Sequence, residues 1–154
     1  MSDLDKILLT TVLTIFGGLM IHVLSQMFIK MFLEPCIEYK KIRSDVISHM
    51  SFYSNMFDSK LRADDSDDYR ERYYKAQDDI RLSMAKYRAS YNSITPLILA
   101  RLLRIVPSFS DFESISKNLL TLSFLGSIKH DESGYNEQYN LAKETLKLLQ
   151  VKGY

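Results

Sequence analysis

The stretch ILLTTVLTIFGGLMIHVLSQMFI, Ile7 to Ile29, contains no Asp, Glu, Lys or Arg, and its reading decides the fold. As a helix rising about 1.5 Å per residue it reaches roughly 35 Å, enough to cross a hydrocarbon core of about 30 Å with some tilt. Thr10, Thr11, Thr14, His22, Ser25 and Gln26 keep open the opposing reading, a buried helix of a soluble protein. A cleaved signal peptide fits poorly, because MSDLDK before the run is not basic, the run is long, and no small-x-small cleavage site follows. The chain is therefore expected to divide into 1–33, an N-terminal tail and transmembrane helix, and 34–154, one small helical domain. The fold class is all-α.

Working outward, Lys6 stands alone before the run, whereas Lys30, Lys40, Lys41 and Arg43 follow it. Basic residues beside a span stay in the cytoplasm, so the expectation is a single-pass protein of the inner (cytoplasmic) membrane with its C-terminal domain inside the cell. Within the run, Thr11, Thr14, Gly18, His22 and Ser25 recur at helical steps and form one face. Small and hydrogen-bonding residues on one face of a membrane helix form an association seam, and an ionisable side chain at that depth turns toward other helices. A single span has no neighbour in its own chain, so the seam predicts a homo-oligomer. The bland alternative is that the hydroxyls bond their own backbone and His22 sits neutral against lipid.

Past the run, Pro35 marks a helix start or kink, and Ile37, Ile42, Val46, Met50, Tyr53 and Phe57 predict an amphipathic helix to about Asp58. Asp58, Asp64, Asp65, Asp67 and Asp68 then crowd an expected solvated loop. A second helix is predicted from about Asp68 to Ser93, with Tyr73, Ala76, Ile80, Met84, Tyr87 and Tyr91 inward. Thr95-Pro96 reads as a helix start and Pro107 as the stop of a short apolar helix, Leu97 to Val106, expected at the centre of the core. Ser110-Asp-Phe-Glu113 fits a capping box opening a helix with Phe112, Ile115, Leu119 and Leu122 inward and Gly126 as its stop. A last helix, from about Gly134 to Val151 with Ser133 as its cap, carries Leu141, Ala142, Leu148 and Leu149. No strand alternation or internal repeat is visible.

The sequence offers little to a catalyst. It has one cysteine, Cys36, and three histidines, His22, His49 and His130, none at metal-ligand spacing. Five glycines, widely dispersed, form no phosphate loop or nucleophile elbow. The expectation is a non-enzymatic protein with no metal and no cofactor. Cys36, just past the run, reads as a buried thiol, with lipidation as the alternative.

Charge is segregated instead. From Ile80 to Ser110 the chain carries Arg81, Lys86, Arg88, Arg101 and Arg104 and no acid, directly after a strongly acidic segment. Cations with Tyr87, Tyr91 and Asn92 among them are what a nucleotide ligand requires: charge for phosphates, rings and amides for bases. Pairing with the acidic segment, or facing anionic lipid, are the competing uses of the same charges.

The stretches Arg88-Ala-Ser-Tyr-Asn-Ser-Ile-Thr-Pro-Leu97, Ala100-Arg-Leu-Leu-Arg-Ile-Val-Pro-Ser108 and Ser116-Lys-Asn-Leu-Leu-Thr-Leu-Ser123, with Glu34-Pro35 after the span, resemble a broad group of small bacterial proteins of one membrane helix plus a helical domain. In size, layout and acid-free basic stretch the chain is similar to the membrane-anchored ancillary effectors of type III CRISPR systems. That resemblance implies an antiviral effector that binds cyclic tetra-adenylate rather than duplex nucleic acid. It further implies a tetramer that perturbs the membrane through a changed arrangement of the long helix from Pro35 onward. On that view Arg81, Lys86, Arg88, Arg101, Arg104 and Lys117 meet phosphates, with Tyr87, Tyr91, Asn92 and Asn118 near the bases. A membrane-anchored oligomeric adaptor and a ligand-independent pore or toxin subunit remain as alternatives.

Overall fold

Pro35 has no amide hydrogen, and in an unbroken α-helix its ring would collide with the carbonyl of Met31, so the chain cannot pass this point as a regular helix. It widens instead. The computed structural model, which describes residues 3–57, 65–124 and 132–151, has α1 over Asp3–Phe28, one π-helical turn over Ile29–Leu33, and α2 over Glu34–Phe52. The Glu34 amide reaches back five residues to the Ile29 carbonyl, which makes room for the proline and lets one helix continue from Asp3 to Phe52. No side chain of α1 is buried, and α1 contains the one described helix segment long and apolar enough to cross a membrane.

Packing begins at Phe32. The inner stripe of the helix is Phe32, Cys36, Tyr39, Val46, Met50 and Tyr53. Ile37, expected on that stripe, is 66% exposed, because the phase of the helix is set by Cys36, buried as expected, and Tyr39. Burial pushes the Cys36 thiol above its ordinary pKa, as suits an unmodified core cysteine. α2 ends at Phe52, before the expected Asp58, and a single turn α3, Ser54–Phe57, follows the bend at Tyr53.

The Ser66 side chain accepts from the Tyr69 amide and opens α4, Asp67–Ser93, which runs back antiparallel to α2. Ordered cross-links give the register: Tyr53 donates to Asp79, His49 Nδ1 lies 2.7 Å from Ser83 Oγ, and Tyr39 meets Tyr87 hydroxyl to hydroxyl at 3.1 Å. The expected inner face holds, with Ser83 and Ser90 added and Met84 only half-buried.

The short apolar helix departs most from expectation. α5 covers only Leu97–Leu102, and Ala100 is its one buried side chain. Ile98 and Leu102 are 80% and 76% exposed, so the helix lies at the edge of the core rather than its centre. It stops before Pro107 because Arg104 takes φ 57°, the left-handed region, while its amide bonds the Arg101 carbonyl and the Ile105 amide bonds the Ala100 carbonyl, both at 2.9 Å. This paired pattern is a Schellman C-cap with arginine in the place glycine usually takes.

α6 spans Phe109–Leu122, and its cap is Ser108, not Ser110. Ser108 Oγ accepts from the Asp111 amide and donates to the Asp111 carboxylate, so the cap lies two residues nearer Pro107 than expected. Phe112, Ile115, Leu119 and Leu122 point inward as expected, joined by Ser116. Gly126 and His130 lie outside the described residues. α7, Glu132–Val151, starts ahead of Gly134, which puts Ser133 inside the helix instead of at its cap. It packs on α6 and on α2, burying Ala142 and Leu149 while Leu141 and Leu148 are half-buried. Arg43 Nε donates to the Leu149 carbonyl at 2.9 Å, with Nη2 on the same oxygen, so α2 satisfies one of the free carbonyls in the last turn of α7. Among the described residues no strand occurs.

Candidate functional site: the groove between α4 and α6

Tyr91 and Phe112 stack at 3.8 Å between centroids with planes 11° apart, and Tyr87 flanks Phe112 at 5.6 Å. This aromatic seam fixes α6 against the last turns of α4. Positions three to four residues apart along α4 share a face, so burying Tyr87 and Tyr91 turns Arg88 and Asn92 toward one flank. Lys117 and Glu113 project from the matching flank of α6. Between the two helices runs an open groove of about 690 Å³ whose walls include Arg88, Asn92, Phe109, Glu113, Ser116 and Lys117.

Ser116 gives the groove its chemical character. Its side chain is only 6% exposed, and Oγ has no hydrogen-bond partner among the described residues. A buried hydroxyl left unpaired costs roughly 1–3 kcal/mol, which a ligand atom would relieve on a small opening of the groove floor, because Oγ exposes less than 1 Å². Around it stand two cations, one amide and one exposed aromatic ring, against the single carboxylate of Glu113. Arg88 and Lys117 have no ion-pair partner among the described residues. The groove therefore presents net positive charge with donors of three kinds, a set suited to phosphate oxygens and the polar edge of a base.

The other sequence candidates are distributed differently. Tyr87 and Tyr91 are fully buried, 0% and 1% exposed, and neither can stack on a base without opening the core. Phe109, about half exposed on the groove wall, occupies the role expected of them. Arg101 is half-buried: Nη2 and Nε donate to the Tyr91 hydroxyl at 3.0 and 3.2 Å, and its guanidinium lies 5.8 Å over the Phe109 ring, at the groove's edge. Arg81 is remote, held by Asp78 at 3.3 Å, by the Ser123 carbonyl, and over Phe124. Lys86 is exposed and outside the groove walls, and Arg104 forms the α5 cap. Asn118 faces a separate depression of about 350 Å³ with Thr121 and Gln138, which shares only Ser114 and Lys117 with the groove. The acidic segment accounts for few of the cations: Arg81 pairs with Asp78, while Arg70 and Arg72 pair within one turn with Asp67 and Asp68.

Ser116 and Phe109 escaped the sequence reading. The signal for Ser116 was a lone hydroxyl on the otherwise apolar stripe Phe112, Ile115, Leu119, Leu122. Phe109 precedes the helix start expected at Ser110 and is in fact the first residue of α6.

On the exposed α1 face, Thr11 Oγ1, Thr14 Oγ1 and Ser25 Oγ donate to the carbonyls of Ile7, Thr10 and Ile21 at 2.8–2.9 Å. These hydroxyls are satisfied inside the helix, as the bland alternative holds. His22 has no such bond among the described residues, and a Cβ at Gly18 would meet no atom within 4 Å.

Among the described residues no cluster of His, Cys, Asp or Glu is placed to hold a metal ion. No protein-family model, curated protein or solved structure matches the chain.

Proposed function

We propose that the chain is a non-enzymatic, single-pass effector of antiviral defence in the inner membrane. Its cytoplasmic domain binds a cyclic oligoadenylate, cyclic tetra-adenylate in the first instance, and transmits binding to the membrane span. The observation that carries this reading is the α4–α6 groove, where Arg88, Asn92 and Lys117 surround the unpartnered, buried Ser116 Oγ. Phosphate oxygens accept from Arg88, Lys117 and Ser116, and Phe109 offers a face to a base. Lys30, Lys40, Lys41 and Arg43 support the cytoplasmic side for the domain.

Self-association follows from two considerations. His22 is unpaired in an apolar helix, and a ring N–H in lipid gains a partner when a second helix is present. A cyclic tetranucleotide carries four phosphates, so four grooves around an axis match its symmetry and sum their positive potential. The ligand acts only if it binds two arrangements of the helix bundle with different affinity.

An adaptor is the second reading, favoured by a largely apolar cleft of about 470 Å³ where Met50, Phe57, Tyr139, Ala142 and Leu146 meet at the far end of the domain. Full-length protein in nanodiscs, titrated with cyclic oligoadenylates and control polyanions at two salt concentrations, separates the two. Selective binding to one ring size, followed by dye release from proteoliposomes, is the expected result. Equal salt-sensitive binding to every polyanion, or none, removes the ligand reading.

A further inference from the structure

α5 is apolar on its outer face as well as its inner one. Ala100 is buried with Leu97 and Leu99 half-buried beside it, yet Ile98 and Leu102 on the opposite face, and Leu103 at the C-cap, are open to solvent. A helix at the edge of a core usually turns polar residues outward, and α5 turns out isoleucine and leucine instead. Such a patch calls for an apolar partner.

Its place in the fold names the partner. α4 runs antiparallel to the long helix, with Tyr91 beside Tyr39 at 6.1 Å between ring centroids. Three residues further, Ile94 is level with Cys36, and α5 follows at the end of the domain where Phe32 is the first buried side chain. Below Phe32 the helix is bare and, apart from Lys30, apolar, with Phe28, Ile29 and Met31 exposed. At about 1.5 Å per residue, Cys36 stands only some 10 Å along the axis from Ile29, within reach of the headgroup layer. Arg104, exposed just past the C-cap Leu103, puts a cation next to this apolar face in a stretch without acids. Apolar side chains in the acyl boundary with cations at headgroup level is the composition of an interfacial helix.

We propose that α5 is a second membrane contact: it lies on the bilayer surface beside the point where the span emerges, with Ile98, Leu102 and Leu103 in the acyl boundary and Arg104 at anionic headgroups. This rests on the reading of α1 as a membrane span. The contact would hold the domain upright against the membrane and aim the α4–α6 groove relative to it.

The chain has no tryptophan, so single tryptophans report without background. Full-length Leu102→Trp, Phe16→Trp and Tyr74→Trp variants, each at an exposed position, are reconstituted into vesicles of phosphatidylcholine and phosphatidylglycerol, roughly three to one. The vesicles contain lipids brominated either near the headgroup end of the acyl chain or near its terminus. Leu102→Trp should lose roughly half its emission to the shallow quencher and little to the deep one, the depth expected of an interfacial helix. Phe16→Trp should respond chiefly to the deep quencher and Tyr74→Trp to neither. Adding Arg104→Gln to Leu102→Trp should lower the quenching, and to a greater degree in anionic than in neutral vesicles. Quenching of Phe16→Trp with an unquenched Leu102→Trp would overturn the α5 contact and leave the span standing. An unquenched Phe16→Trp would overturn the span itself.

Discussion

The hydroxyls of Tyr39 and Tyr87 lie 3.1 Å apart and share one hydrogen bond across the α2–α4 seam, where both rings are fully buried. Burial pushes Tyr39 up to about 12 and raises Tyr87 further. Tyr53, whose hydroxyl donates to Asp79, is also held at about 12, chiefly by that bond. Unfolded tyrosines ionise near 10.0 and the folded ones do not, so the native state holds the extra protons between these values. Stability should be complete below pH 10 and fall as pH rises from about 10 to 12. Urea midpoints measured across that window should fall as phenolate absorbance rises; a midpoint constant to pH 12 would exclude the linkage.

Tyr91 and the groove residues should separate cleanly. Tyr91→Ala empties the stack on Phe112 and should cost about 3–5 kcal/mol, so its loss of binding would report unfolding. Arg88→Ala and Lys117→Ala remove exposed side chains and should change stability by less than about 0.5 kcal/mol. Each should weaken cyclic tetra-adenylate binding by roughly tenfold or more, the worth of a charge-assisted bond. Arg81→Ala should leave affinity within about twofold, since Arg81 is held elsewhere by Asp78. Calorimetric titration beside urea denaturation measures both effects.

Ser116→Ala should move the two quantities in opposite directions. Deleting an unpaired buried hydroxyl should raise stability by about 1 kcal/mol while ligand affinity drops several-fold. Equal affinity in the variant and the parent would take Ser116 out of the site.

Arg104 is held at φ 57° where a glycine would be unstrained. Arg104→Gly should stabilise the domain by about 0.5–1 kcal/mol, the conformational relief being partly offset by a more flexible unfolded chain. A lower urea midpoint in the glycine variant would mean that the arginine side chain contributes more than its backbone costs.

His22→Leu keeps the span apolar and removes its one unpaired ring. Association in bilayers, followed by energy transfer between labelled copies, should weaken about three- to tenfold, the usual worth of one interhelical hydrogen bond in a membrane. Unchanged transfer would reduce the seam to packing at Gly18.

Long, strongly patterned elements were legible in the sequence. The long apolar N-terminal helix rested on an uninterrupted apolar run, and α4 on Tyr73, Ala76, Ile80, Tyr87 and Tyr91 at helical steps. What failed were decisions between near-equal local signals. Ser108 and Ser110 each head a Ser-x-x-acid frame, and only tertiary packing of Phe112 on Tyr91 chooses between them. The apolar run Leu97 to Val106 looked like core because composition cannot say which side faces the interior. The groove was half visible: cations and amides are read from charge patterning, whereas the burial that took Tyr87 and Tyr91 away, and stranded Ser116, belongs to the packed state alone.

The π-turn at Ile29–Leu33 gives the long helix a mechanical property. It introduces an extra residue into one turn, so it sets the azimuth at which the span face bearing Gly18 and His22 stands relative to the inner face of α2. It is also the least regular point between two stiff segments. α1 below it is about 40 Å long, so a bend of roughly 5° there swings the far end of the span sideways by some 3–4 Å. With α1 in a bilayer, as proposed, small adjustments of the domain would arrive there as displacements comparable to the diameter of a water molecule.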